Sequence, residues 1–263
     1  MRGLLTLLVL ASAFVTANCQ TSNRPATISS PVQAVDKNLV IDTYISKRGE
    51  KMPYLLFVPK GYDKQKKYPL VLWLHGGGSR GSDPKIQLTF GEQHGFGFLI
   101  RADNQARYPS FVLAPQCPLN KVWGDPAASN PTNEMNLVLE IIQQLQASYS
   151  IDPARLYVMG MSLGGYGTWD VIMRRPGMFA AAVPICGGGD PAKASMMKQT
   201  SIWAFHGDED QSVAVSESRQ MIEALRKHGA NPKYTEYKQV GHNSWERAFA
   251  EPDLLSWLFA QRQ

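Results

Sequence analysis

The segment Arg155-Leu156-Tyr157-Val158-Met159-Gly160-Met161-Ser162-Leu163-Gly164-Gly165 constrains the fold of this chain more than any other. Leu156 to Met159 is an apolar run of strand length. Gly160-Met161-Ser162-Leu163-Gly164 then fits G-x-S-x-G, a sharp strand-to-helix turn that lifts a serine hydroxyl at its apex. Such a turn takes a positive φ at the apex and leaves no room for side chains beside it, which is why glycine flanks the serine. Gly165 to Arg174 suits a helix that stops before Pro176. The same letters also describe a glycine turn carrying a serine by chance, since both residues are common. The two readings part on whether a base, an acid and an oxyanion-binding loop occur elsewhere in a matching order.

The rest of the chain alternates strand and helix patterns. Asn38 to Ile45 and Met52 to Val58 read as strands joined by a turn at Arg48-Gly49-Glu50. Pro69 to Leu74 is a continuous apolar run, the mark of a strand buried on both faces, and it ends in His75-Gly76-Gly77-Gly78. Phe111 to Ala114 is the next strand. Asn130-Pro131 reads as an N-cap with proline at the first helical position, followed by Val138, Ile141, Ile142 and Leu145 at helical spacing. Ala180 to Ile185, Ser201 to Phe205 and Lys233 to Tyr237 are further strands, with a helix over Val215 to His228 and a last helix opened by Pro252. This alternation predicts an α/β fold: a mostly parallel central sheet with helices on both faces. In such sheets chemistry gathers at the carboxyl ends of the strands, where the glycine clusters of this chain all fall.

With 263 residues, 44% of them hydrophobic, the chain can build one large domain, and no linker or repeat divides it. The net charge of +5 is mild, and its small cluster at Lys64, Lys66 and Lys67 reads as a solvated turn. No nucleic-acid partner is expected. Arg2 and the apolar run from Leu4 to Val15 form a signal-peptide pattern over residues 1–19, too short to span a bilayer. Cleavage fits after Ala17 or near Cys19; a lipid anchor on Cys19 would need a better lipobox than Thr16-Ala17-Asn18. Residues 20–35 read as a flexible leader and 36–263 as the catalytic domain. The expected location is secreted or periplasmic, without a membrane span. Cys117 and Cys186 lack metal-like or CxxC spacing and are expected as two buried thiols.

A serine hydroxyl needs a base, and histidine is the natural one. His242 sits in the short loop after the last strand, preceded by glycine, and is the chosen base. His75 and His206, each followed by glycine at a strand end, read as rings that pack or cap their loops. Asp210 is the chosen acid, with Asp208 as its rival two residues nearer the strand; Asp152, before Pro153, reads as a turn residue. Serine, acid and histidine then follow strand ends in the order Ser162, Asp210, His242. Oxyanion donors are expected from the N–H of Leu163 and from the glycine loop, at Gly77 or alternatively Gly78. Trp123, in a polar loop at the same end of the sheet, is expected to wall the substrate site, with Trp245 more often a core anchor. This chemistry requires no metal or organic cofactor.

Five motifs carry a family resemblance: Leu74-His75-Gly76-Gly77-Gly78, Ala114-Pro115-Gln116-Cys117, Gly160 to Gly165, His206-Gly207-Asp208-Glu209-Asp210 with Val213, and Gly241-His242-Asn243-Ser244-Trp245. Over nearly its whole mature length the chain resembles the α/β-hydrolase superfamily. The nearest branch is the compact carboxylesterases, which include phospholipase/carboxylesterase, feruloyl-esterase-like, polyhydroxybutyrate-depolymerase-like and "predicted peptidase" types. The resemblance implies a secreted serine esterase acting on small-molecule or polysaccharide-linked esters, acetyl or feruloyl, through an acyl-enzyme. A prolyl-oligopeptidase-like peptidase and a non-catalytic binding protein on the same fold are the rival readings.

Overall fold

One eight-stranded sheet organises the described residues, 37–89 and 93–263 of the computed structural model. Its strands are β1 (Leu39–Ile45), β2 (Lys51–Phe57), β3 (Tyr68–Leu74), β4 (Phe111–Pro115), β5 (Ile151–Met161), β6 (Ala181–Ile185), β7 (Ser201–Gly207) and β8 (Lys233–Tyr237). They lie in the order β1-β2-β4-β3-β5-β6-β7-β8. The pairs β1–β2 and β2–β4 are antiparallel and all others parallel. The helices are α1 (Gly95–Ile100), α2 (Ala102–Arg107), α3 (Asn133–Ser148), α4 (Leu163–Arg174), α5 (Ser216–Lys227), α6 (Trp245–Phe249) and α7 (Leu254–Ala260). The signal segment 1–19, the leader 20–35 and the candidate anchor Cys19 lie outside the described residues.

Strand β3 shows why this sequence makes a two-faced sheet. Leu70, Leu72 and Leu74 pack with Val138, Ile142, Met221 and Leu225, on the face covered by α3, α4 and α5. Val71 and Trp73 point the other way, into Phe96, Phe98, Phe249 and Leu258. The side-chain period of two divides one apolar run between two cores. The parallel strands all end on one edge, so the loops after β3, β5, β6, β7 and β8 share one end of the molecule. Cys117 and Cys186 are buried free thiols. Among the described residues no helix is long and apolar enough to cross a membrane.

Local differences from expectation have physical causes. Helix α3 is capped by Thr132, whose Oγ1 accepts the Met135 N–H at 3.0 Å, so the cap falls two residues beyond Asn130. Strand β5 starts earlier than its apolar run, with a register shift between the Tyr68 and Leu70 pairings. Asp152 sits at that irregularity and accepts the Ala154 N–H at 3.1 Å, a turn role inside a strand. Helices α1, α2 and α6 were not foreseen because each is too short to show a helical period.

Candidate active site

The turn at Ser162 is built as its letters require. Ser162 takes φ 54° and ψ −115°, a conformation that costs a non-glycine residue on the order of 1–3 kcal/mol. Its N–H donates to the Ile185 carbonyl at 2.9 Å, tying the apex to the end of β6. A Cβ on Gly160 would lie 2.3 Å from the Gly164 oxygen, so the strand and the helix meet only because that side chain is missing.

The loops after β7 and β8 are bonded together, which brings His242 over Asp210. The Asp208 N–H donates to Tyr237 O and the Glu209 N–H to Val240 O, each at 3.0 Å. Asp210 is buried, and its Oδ1 accepts the N–H groups of Ser212 and Val213, both at 2.8 Å. Its Oδ2 lies 2.7 Å from His242 Nδ1, and His242 Nε2 lies 2.9 Å from Ser162 Oγ. Burial pushes the Asp210 carboxyl up, but the Val213 N–H, the His242 ring and the Ser212 N–H outweigh it and hold it below its ordinary value. Asp210 is therefore an anion that fixes Nδ1–H and turns the Nε2 lone pair toward the serine. The His242 side chain is 25% exposed, whereas Asp210 behind it is buried. Asp208, the rival acid, accepts the Gln239 N–H at 2.7 Å and holds the turn after β8.

The expected oxyanion donors open the two elements that follow β3 and the serine turn. Leu163 opens α4, where the first N–H groups of a helix have no intrahelical acceptor. Gly77 opens a short 3-10 turn, Gly77–Ser79, and the preceding Gly76 stands 3.6 Å (at its Cβ position) from Met161, the neighbour of Ser162. His75 anchors that loop. Its Nδ1–H donates to Gly76 O at 2.8 Å and its Nε2 accepts the Cys117 N–H at 3.1 Å. Accepting at Nε2 needs the neutral ring, and burial lowers its pKa to about 4.

Trp123 requires a correction. It is 0% exposed, its indole N–H donates to His75 O at 3.0 Å, and its ring meets the His75 ring edge-on at 5.1 Å. It is a strut beneath the glycine loop and presents no face to a ligand. The polar loop around it folds inward because the Arg174 guanidinium binds the carbonyl oxygens of Asp125, Ala128 and Ser129. Trp245, half-buried, stands edge-on to the His242 ring at 5.4 Å.

Two residues next to the site carried no clear sequence signal. Cys186 takes φ 40° at the end of β6, is fully buried, and has its thiol pushed up to about 12 by burial. Its Sγ, an Asp210 oxygen and a His242 nitrogen lie within 4.8 Å of one another. A cation there would have to displace the Asp210–His242 bond and take up a protonated thiol, so the donors fit a metal poorly. His206 lies behind Asp210, with Nε2 3.3 Å from Oδ2.

The fold and this constellation define an α/β-hydrolase. The dienelactone hydrolase family model matches residues 122–253, a span that holds Ser162, Asp210 and His242, and the chain belongs to that family. It is 27% identical over 187 residues to "Probable feruloyl esterase C" of Aspergillus terreus, covering 70% of this chain and 60% of that protein. It is 39% identical to a solved thermostable esterase, with a TM-score of 0.81, covering 86% of this chain and 64% of the other. A feruloyl esterase module from Clostridium thermocellum, solved as its S954A mutant with sinapinate, shares the fold at 20% identity and TM-score 0.62, covering 85% of this chain and 88% of that one. The chain thus spans less than two thirds of the length of the first two relatives.

Proposed function

We propose that this protein is a serine esterase in which Ser162 is the nucleophile, His242 the base and Asp210 the acid that orients it. One observation carries the reading: a single imidazole bridges Ser162 Oγ at 2.9 Å and Asp210 Oδ2 at 2.7 Å. His242 Nε2 takes the Ser162 proton as Oγ attacks the ester carbonyl. The resulting oxyanion faces the N–H groups of Leu163 and Gly77. The imidazolium then protonates the leaving alcohol, and the acyl-enzyme forms. Water, deprotonated by the same nitrogen, releases the acid. Loss of one oxyanion donor would cost about 3–4 kcal/mol of transition-state stabilisation.

The substrate class proposed is a carbohydrate-linked acetyl or feruloyl ester, or another short acyl ester. Its support is the likeness to proteins named as feruloyl esterases and to a solved esterase. The catalytic domain is proposed to run over residues 36–263, behind an export signal at 1–19 and a leader at 20–35. Fluorophosphonate labelling tests the nucleophile. Wild type should be labelled at Ser162 and Ser162→Ala should not; an unlabelled wild type would favour a binding protein. A panel of acetyl, feruloyl and longer acyl esters beside aminoacyl amides tests the class, and faster amide cleavage would make the protein a peptidase.

A further inference from the structure

Asp210 Oδ2 lies between two imidazoles, His242 Nδ1 at 2.7 Å and His206 Nε2 at 3.3 Å. His206 is in β7 and is fully buried. Its Nε2 is also 3.0 Å from Val213 O, so both neighbours of that nitrogen are acceptors and it must carry a proton. On the other side, Nδ1 is 2.7 Å from Ser218 Oγ, which in turn lies 3.0 Å from Gly187 O. A neutral ring accepts the Ser218 proton at Nδ1. A charged ring would donate there and turn that proton to Gly187 O. Burial lowers the proton affinity of His206, which favours the neutral ring with its hydrogen on Nε2.

We propose that His206 is a positioning residue of the triad, whose Nε2–H, shared between Val213 O and Asp210 Oδ2, fixes the carboxylate that holds His242. Val213 is gripped twice, since its N–H donates to Asp210 Oδ1 while its oxygen faces His206. The carboxylate therefore meets the N–H groups of Ser212 and Val213 on one oxygen and two imidazoles on the other. Loaded in this way it stays anionic when His242 becomes charged, and it takes no proton from it. Removing the second imidazole leaves a buried lone pair on Oδ2 without its donor and room for water behind the triad.

This inference rests on the triad reading above. The test compares His206→Gln, whose amide nitrogen reaches the place of Nε2, with His206→Asn, which reaches only that of Nδ1. Ser218→Ala, a small change in volume, removes the donor that sets the tautomer. We expect His206→Gln to keep kcat for an activated acetyl ester within about 3-fold, and His206→Asn to lose on the order of 10- to 100-fold with KM unchanged. Ser218→Ala should fall between them. A proton NMR readout independent of turnover is the low-field His242 Nδ1–H resonance, which should move in His206→Asn and return in His206→Gln. Equal losses in the Gln and Asn variants, or full kcat and an unmoved resonance in the Asn variant, would overturn the proposal. A wild type without ester turnover or fluorophosphonate labelling would instead sink the triad reading, and the resonance would still report whether His206 orders Asp210.

Discussion

Gly164 stands directly under the carbonyl of Leu74: a Cβ there would lie 1.8 Å from the Leu74 oxygen and 2.5 Å from its carbon. The first turn of α4 is thereby packed on the backbone at the end of β3. The serine turn and the glycine loop that leaves β3 share one rigid support.

Gly164→Ala should consequently fail to fold cooperatively or lose more than about 4 kcal/mol, since backbone rather than a side chain would have to move. Gly78, with nothing within 4 Å of its Cβ position, should accept alanine at a cost of about 1 kcal/mol or less. Thermal melts of the two variants check the contrast. A Gly164→Ala protein as stable as wild type would contradict the close approach.

The two carboxylates after β7 should separate cleanly. Asp210→Asn replaces an anion against His242 Nδ1 with a group that permits the wrong tautomer, and kcat should drop on the order of 10⁴-fold. Asp208→Asn keeps an oxygen for the Gln239 N–H and should stay within a few-fold of wild type. Steady-state kinetics on one activated ester decide the matter, and the reverse order would reassign the acid.

Acid should loosen the glycine loop through His75. Its folded pKa is lowered to about 4 from 6.5. Between those values the unfolded chain binds a proton that the folded ring refuses, so stability is complete above pH 6.5, declines as pH falls, and levels off below about 4. The loss is about 3 kcal/mol at most. His206, lowered by burial as well, acts in the same direction. Urea midpoints at pH 7 and pH 4.5 should differ by less in His75→Gln than in wild type.

Trp123→Phe should cost about 1–2 kcal/mol by removing the indole N–H from His75 O in a buried setting. Its KM for small esters should stay at the wild-type value because the ring touches no substrate. A KM raised several-fold with unchanged melting would return Trp123 to the substrate wall.

Much of this site is legible because its parts are local. Ser162, Asp210 and His242 each follow a strand end, and the order of those ends along the chain survives folding in a parallel sheet. The choice between Asp208 and Asp210 is not local. It depends on Asp208 finding the Gln239 N–H across the β7–β8 edge, which frees Asp210 to face the ring. The burial of Trp123 is hidden from the sequence for a similar reason. A polar loop predicts exposure, but Arg174, more than forty residues on, ties that loop inward by its carbonyls. The sequence around His206 reads as loop packing, since nothing near it along the chain shows that its Nε2 faces the carboxylate.

By itself, then, the chain of letters determined the two-faced sheet, the serine turn and the loops at its carboxyl edge that offer a base and two candidate acids. Those follow from side-chain period, glycine sterics and chain order, which are properties of neighbours along the backbone. Only the tertiary structure decided what stands behind each of them: Trp123 under the glycine loop, Cys186 beneath the serine, His206 against Asp210. Burial and hydrogen-bond partners are set by segments far apart in sequence, and no local pattern encodes which of them will meet.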